Sequence, residues 1–340
     1  MRPSTNAPDL LALPDAPAIS GLHFRRPRGD DADYEAMAAV IAAGNRHDDI
    51  PWMPTAATLR EQIESSEGTD IRADIVIAEV DGIAVARAVV KRTVRDGIAT
   101  YGIGGEVVPH LRRRGLGRAL LRENLRRVEE RGAAEPVGMR FEPRGSTNDR
   151  EIGHRTILEQ EGFVAVRWFF LMLRPTLADI PQAPLPAGLE FRPVTPDRQR
   201  AIFNAEVEAF LDHWQPLEKT EHDFESLWRQ TDLNTGLWVV AWDGDEVAGV
   251  VQNWIWRDEN KQLGIDRGWL EHISVRRPWR RRGLGRAMTA ESLRRLRAAG
   301  MTEAVLGVDA ENPTGALGLY EGLGFSAHQR SSVYRRPPRD

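Results

Sequence analysis

The sequence predicts an α/β protein in which one domain plan is written twice, each copy a mixed sheet flanked by helices. Three observations lead there. Four landmarks recur in the same order with similar spacing, strand-like and helix-like patterns alternate within each copy, and 340 residues suit two domains better than one. The landmarks are Gly21-Leu22-His23-Phe24-Arg25 against Gly188-Leu189-Glu190-Phe191-Arg192, Ile75 to Gly82 against Leu237 to Gly244, Arg112 to Ala119 against an identical Arg280 to Ala287, and Glu161-Gly162-Phe163 against Leu323-Gly324-Phe325. Shared order and spacing mark a duplication rather than chance reuse.

Each copy opens with a strand that ends in Arg and Pro, followed by polar helical stretches beginning at Asp33 to Ala43 and Asp197 to Leu211. Two alternating strands then meet at Asp-Gly, a pair suited to the tight turn that matches strand twist. A further strand runs into the Arg/Gly turn. The helix after it carries Leu116, Ala119, Leu120, Leu125 and Val128 in one copy and Leu284, Ala287, Met288, Leu293 and Leu296 in the other. Spacings of three and four give one buried face, and Gly132 or Gly300 is expected to end the helix. A strand and a short helix close each copy. The expected organisation is a loose tail over 1–20, a first domain over 21–175, a proline-bearing linker over 176–187 and a second domain over 188–337.

Composition removes several functions. Without a cysteine there is no disulfide, thiolate metal site or cysteine nucleophile, and a cytoplasmic protein is expected. The first twenty residues lack the basic start and apolar run of a signal peptide. No apolar stretch approaches the roughly 20 residues that span a bilayer, so no membrane partner is expected. A modest net charge of -4 gives no support for a polyanionic partner. The arginine triplets are short turns without interleaved aromatics, so no nucleic acid is expected either. No histidine lies in a His-Glu-x-x-His pattern, no Gly-x-Ser-x-Gly elbow occurs, and no metal is expected.

A two-glycine turn between strand and helix lets backbone amides approach an anion, and the helix N-terminus adds about half a positive charge. Such a turn fits a diphosphate. It is not a Walker loop, because no Gly-Lys-Ser/Thr follows, and Leu120 and Met288 replace the third glycine of a dinucleotide fingerprint.

Arg280-x-x-Gly283-x-Gly285 after Ile273-Ser274-Val275, with Asn312-Pro313, Leu319-Tyr320-Glu321 and Gly324-Phe325 downstream, resembles the GCN5-related N-acetyltransferase (GNAT) superfamily. The resemblance covers nearly all of residues 188 to 335 and, more weakly, 21 to 175. It implies two tandem GNAT-type domains, each with a mostly antiparallel twisted sheet, and acetyl-CoA as cosubstrate. It carries Ile273, Ser274 and Val275 to the pantetheine arm, Arg280, Arg281, Arg282, Gly283, Leu284, Gly285 and Arg286 to the pyrophosphate, and Asn312 to the cofactor arm. In the first copy it carries Val107, Val108, Arg112, Arg113, Gly115, Gly117 and Arg118 likewise.

The resemblance places Tyr320 as the acid that protonates the departing thiolate, and an unperturbed phenol near pKa 10 is protonated at neutral pH. Glu271, before the cofactor-binding end of the strand, is the candidate base, expected to alternate with His272 across the sheet. His272 and His213 stand in reserve. In the first copy Leu158 stands opposite Tyr320 and cannot donate a proton, so that copy is expected to be catalytically silent. The arrangement is similar to that of other two-copy members whose second domain transfers the acetyl group.

The expected acceptor is a primary amine of a small molecule. Glu206, Glu208, Asp212, Glu218, Glu221, Asp223 and Glu225 form an acidic region suited to a cation, and Trp254 and Trp256 can wall the acceptor cleft. The alternative is a non-catalytic acetyl-CoA-binding or sensor protein. A monomer or homodimer is expected.

Overall fold

The computed structural model describes residues 9–312 and 315–337 and divides the chain into two units. The first takes residues up to Val166 and from Ser332 onward; the second is Arg167–Ser331.

The first unit begins with β1 (Leu10–Leu11) and β2 (Leu22–Arg25). Then come α1 (Asp31–Asp48), α2 (Ala56–Glu64) and α3 (Ile71–Asp74). The Asp30 carboxylate accepts the Asp33 amide at the start of α1, and the Thr55 hydroxyl accepts the Thr58 amide at the start of α2. Each thereby satisfies a donor the helix cannot. Strands β3 (Ile75–Val80), β4 (Ile83–Arg95) and β5 (Ile98–Val107) form two successive hairpins. Their turns are Asp81-Gly82 and Asp96-Gly97, with positive φ at all four residues, as a two-residue turn between twisted strands requires. Helix α4 (Leu116–Ala133), β6 (Phe141–Asn148) and α5 (Ile152–Gln160) complete the unit. The strand order is β1-β2-β3-β4-β5-β6, with only β5–β6 parallel. One core packs Tyr34, Met37 and Ile41 of α1 against β3, and others pack Leu116, Leu120, Leu125 and Val128 of α4 on the sheet.

The second unit repeats this plan. It contains most of β7 (Val164–Arg174), then β8 (Leu189–Phe191), α6 (Gln199–Phe210), α7 (Glu221–Arg229), β9 (Val239–Asp243) and β10 (Glu246–Trp254). There follow α8 (Arg257–Leu263), β11 (Arg267–Val275), α9 (Leu284–Ala298), β12 (Glu303–Asp309), α10 (Ala316–Glu321) and the first part of β13 (Ser326–Arg335), whose residues from Ser332 onward belong to the first unit. The order β7-β12-β11-β10-β9-β8 is antiparallel except for β11–β12. Leu284, Met288, Leu293 and Leu296 of α9 fill the core with Leu270 and Leu306. On the opposite face Ile202 and Ala205 of α6 meet Trp238, Val240 and Trp254.

Three features differ from the sequence reading. Residues 9–20 of the expected tail are ordered against the first unit, while its first eight residues lie outside the described ones. Leu13 is buried beside Leu111, Leu116 and Leu120, and Asp15 binds Arg122 at 2.8 Å. The expected linker is likewise packed: Leu177 is 2% exposed, its amide donates to Thr302 O, and Arg294 donates to Pro181 O at 3.3 Å. The two stretches are the same element, since Pro14-Asp15-Ala16-Pro17 matches Pro181-Gln182-Ala183-Pro184 seven residues before the repeated glycine. Prolines supply extended backbone that lies over a helix without needing ladder hydrogen bonds. The unit boundary falls before this stretch, because Phe169 to Arg174 of β7 pair in the second unit with β12. Of the two glycines expected to end helices, Gly300 does so and Gly132 does not. Gly300 has φ +91° directly after α9, a left-handed cap. Gly132 lies inside α4, where an added Cβ would stand 2.4 Å from the Phe141 ring.

Candidate acetyl-transfer site

In the second unit the site begins where two parallel strands part. β11 and β12 are in register from Arg267↔Glu303 to Leu270↔Leu306 and no further. Beyond Leu270, β11 continues along β10, with Ile273 opposite Val251, Ser274 opposite Val250 and Val275 opposite Gly249. Peptide groups on the other edge of Glu271 to Val275 therefore face a gap instead of a strand. An extended amide-bearing chain fits such an edge by adding backbone hydrogen bonds.

The Arg/Gly turn closes the end of this gap. Arg281 has φ +62° and Gly283 φ +84°, a fold of the backbone that brings successive amides to the N-terminus of α9. The first amide paired back to the turn is that of Ala287, to Gly283 O at 3.0 Å, so the preceding amides remain available for an anion. An added Cβ at Gly283 would meet nothing within 4 Å. At Gly285 it would stand 3.4 Å from Leu319 Cδ1 and 3.8 Å from Val275 Cγ2, so this glycine lets α9 approach both β11 and α10.

The arginines of the turn divide by role. Arg281 and Arg282 are exposed and supply mobile positive charge. Arg280 does not: its Nε donates to Val275 O at 2.8 Å, and its other nitrogens donate to Asp212 Oδ2 at 2.6 Å and Ala209 O at 3.2 Å. Arg112 in the first unit is equally pinned, to Val107 O at 3.0 Å and Asp48 at 2.7 and 2.8 Å. These two side chains tie the strand end to the preceding helix region. Arg286 donates to Gly322 O at 3.0 Å, and Arg118 contacts Gln160.

Helix α10 carries Tyr320, which is 7% exposed with its ring 6.2 Å from Phe325 in a T-shaped contact. Burial penalises the phenolate and pushes the hydroxyl far above its ordinary pKa, so this proton is held through the alkaline range. The amide of Phe325 donates to Tyr320 O at 3.1 Å. In the first unit the amide of Phe163 donates to Leu158 O at 3.0 Å, so Leu158 occupies the corresponding position. Asn312 lies in the turn after β12, its amide donating to Asp309 O at 3.1 Å; Pro313 of the sequence motif lies outside the described residues.

At the strand divergence, sequence periodicity misplaces one detail. Gln252 pairs with His272 and Asn253 with Leu270, so Glu271 is the extra residue of a β-bulge. Strict alternation breaks there, and Glu271 is re-aimed rather than placed simply opposite His272. Its Oε1 accepts Trp256 Nε1 at 3.4 Å. Glu271 is open to solvent on one side, but surrounding protein atoms raise its carboxyl above the ordinary range, against smaller lowering effects of His272 and Trp256. His272 Nδ1 lies 2.7 Å from Glu206 Oε1. His213 packs on Phe210 at 4.4 Å between ring centres, and desolvation lowers its pKa.

The acidic region is more nearly neutral than its sequence implies. Glu208 binds Arg276 at 2.8 Å, Glu225 binds Arg229 at 2.6 Å, and Glu221 pairs with Arg200. Asp212 is held well below the carboxylate range by Arg277 and then Arg280, and Asp223 completes the capping box of α7. The tryptophans also separate: Trp254 is 4% exposed in the core, whereas Trp256, stacked on it at 5.0 Å, reaches Glu271. The sequence reading missed the Glu206–His272 pair, whose members are 66 residues apart. Among the described residues there is no cluster of three or more metal-ligating His, Cys, Asp or Glu, and no helix long and apolar enough to cross a membrane.

Two parallel strands that part beside a strand-to-helix turn are common to both units, and the chain belongs to the GNAT family of acetyltransferases. The sequence profile of the Acetyltransferase (GNAT) family matches residues 200–325. A mycothiol acetyltransferase of Salinispora arenicola is 30% identical over 92% of this chain and 97% of its own. Among solved structures, a GCN5-related N-acetyltransferase from Sphaerobacter thermophilus is similar with TM-score 0.72 at 28% identity, covering 97% of this chain and 99% of its own. A tandem GNAT protein from the clavulanic acid biosynthesis pathway shares the fold, with TM-score 0.68 at 16% identity over 94% of this chain and 100% of its own. The chain is thus an acetyl-CoA-dependent N-acetyltransferase of tandem architecture.

Proposed function

We propose that the second unit transfers the acetyl group of acetyl-CoA to a primary amine of a small molecule by direct attack, and that the first unit is catalytically silent. The observation that carries this reading is the pairing of the parted strands and open turn with a buried phenol at Tyr320, against Leu158 at the corresponding position of the first unit. The amides at the start of α9 bind the pyrophosphate, with Arg281 and Arg282 adding charge. Alternate peptide groups of Ile273 to Val275 bind the pantetheine arm with Asn312. The amine lone pair forms the C–N bond as Glu271 takes the ammonium proton, directly or through one water. The C–S bond then breaks, and Tyr320 Oη gives its proton to the thiolate sulfur. Val107, Val108, Arg112, Arg113, Gly115, Gly117 and Arg118 frame the corresponding cofactor cradle of the first unit. The name of the mycothiol acetyltransferase relatives makes the unacetylated precursor of mycothiol the first acceptor to try.

The test is acetylated-product formation, read by mass spectrometry, with that precursor, glucosamine, tyramine and cadaverine as acceptors. Tyr320→Phe should lower kcat about 10²-fold or more while leaving acetyl-CoA affinity within about twofold. Unchanged kcat removes Tyr320 from the acid role.

A further inference from the structure

Helix α6 directs Glu206 onto the catalytic strand. The residue is 8% exposed; one carboxylate oxygen meets His272 Nδ1 at 2.7 Å and the other accepts Gln252 Nε2. Gln252 is 2% exposed and lies in register with His272 across β10–β11. The Phe210 ring packs 5.4 Å from the imidazole. The carboxylate and the ring are therefore held from the core side, while the bulge sets Glu271 immediately beside His272 at the point where the strands part.

We propose that Glu206 is a positioning residue which acts through His272: it holds an imidazolium beside Glu271 and so keeps that carboxylate ionised as the proton acceptor of acetyl transfer. The inference rests on the reading of Glu271 as the base. Glu206 is buried, and surrounding protein atoms desolvate the half-exposed His272 and the more open Glu271, so charge at one of these groups favours opposite charge at its neighbour. For His272 desolvation is the largest influence and acts downward. The hydrogen bond and charge of Glu206, together with Glu271, outweigh it and the opposing Lys219, leaving the imidazole pKa raised. For Glu271 desolvation acts upward and the His272 charge is the next influence, acting downward. His213, in the segment after α6, packs on the Phe210 ring that also packs on His272; desolvation lowers its pKa and makes it a poor competing cation. Neutralising Glu206 lets His272 lose its proton at lower pH, which removes the cation that restrains Glu271.

The experiment is the pH profile of kcat/KM for the fastest amine of the panel, at saturating acetyl-CoA, for the full chain and for Glu206→Gln. The acid limb is expected to move to higher pH by roughly one unit, the scale of a single nearby charge, with acetyl-CoA KM within about twofold. His272→Gln, which keeps an amide donor toward Glu206, should move the limb the same way, and the double variant no further. It also serves should Glu206→Gln fail to fold. An unmoved limb overturns the proposal. A limb moved to lower pH also overturns it, since that marks His272 itself as the proton acceptor. Glu271→Gln keeps the two readings apart: full turnover there removes the base assignment, whereas an inactive Glu271→Gln with an unmoved Glu206→Gln limb removes only the positioning role.

Discussion

Tyr320 and Leu158 stand at the same point of the two units, each accepting a hydrogen bond from the phenylalanine five residues on, yet one side chain has a proton to give and the other has none. The surroundings of these positions are closely alike. Both units part a parallel strand pair after a short register, Ile103↔Gly145 in one and Leu270↔Leu306 in the other. Both pin the first turn arginine to a strand carbonyl and a carboxylate, and both bring a Val and an aliphatic side chain against the second turn glycine. The differences lie around the proposed proton acceptor. β4–β5 runs without a bulge and closes in Asp96-Gly97, whereas β10–β11 contains the bulge at Glu271 and is joined by α8. Counting back from Val107 and Val275, Gly104 and Gly105 replace His272 and Ile273. The cradle proposed for the cofactor is thus a matter of backbone geometry that both units share. Chemistry resides in a few side chains that change independently of it.

After the loss expected from Tyr320→Phe, the largest break in this comparison comes from charge at the turn. Gly283 and Gly115 both have positive φ, a region that Asp and Asn tolerate, and at Gly283 an added side chain meets open space. Gly283→Asp and Gly283→Asn therefore impose similar backbone strain and differ in charge. The Asp variant should weaken acetyl-CoA binding at least about tenfold beyond the Asn variant, the scale of about 1.4 kcal/mol from one like charge near an anion. Gly115→Asp should leave turnover within about twofold. Equal losses from both glycines, measured as KM for acetyl-CoA, would place catalytic cofactor binding in both units.

A smaller effect separates the pinned arginines. Asp48 has Arg112 as its ion-pair partner, whereas Asp212 also binds Arg277 at 3.0 Å. Arg112→Ala strands a half-buried carboxylate and should cost the first unit about 2–3 kcal/mol; Arg280→Ala leaves Asp212 partnered and should cost about 1–2 kcal/mol. Amide hydrogen exchange resolved to α1 and α6 measures each unit separately. The reverse order would show that the Ala209 carbonyl contact outweighs the stranded charge.

Local chemistry made the duplicated plan readable. Asp-Gly turns, the two-glycine turn and the apolar face of α4 and α9 all follow from spacing, and counting back from Gly-Phe is enough to set Leu158 against Tyr320. What escaped depended on distant partners or on one inserted residue. The bulge at Glu271 carries no glycine or proline to signal it, and it arises only from pairing with β10. Glu206 and His272 meet because α6 crosses that strand. Arg280 looks like a free phosphate ligand until Asp212 and Val275 are placed around it. The proline-rich segments obscured a repeat that was present: proline composition reads as a linker, but Pro-x-Ala-Pro before both glycines was a signal of shared structure.

Those segments supply the finest test of how far the units diverge. Asp15 binds Arg122 at 2.8 Å and Arg126 at 3.4 Å on α4, with Arg122 the leading cause of its lowered pKa. In the second unit Gln182 stands where Asp15 does, Ala290 where Arg122 does, and Arg294 donates to Pro181 O instead. Asp15→Gln makes the first segment like the second and should lower protection of residues 9–20 only slightly at pH 7, because exposed ion pairs are weak and screened by salt. The sign with pH is fixed. A carboxyl whose folded pKa lies below its unfolded value of about 3.9 adds stability above that pH and loses it as pH falls through the folded value. The difference between wild type and Asp15→Gln in amide exchange of this segment should therefore shrink below about pH 4, and at neutral pH it should shrink in high salt. A difference that persists under both conditions would mean that the segment is held by the shape of the Asp15 side chain, with Leu13 as its anchor, and that charge adds nothing to the clasp.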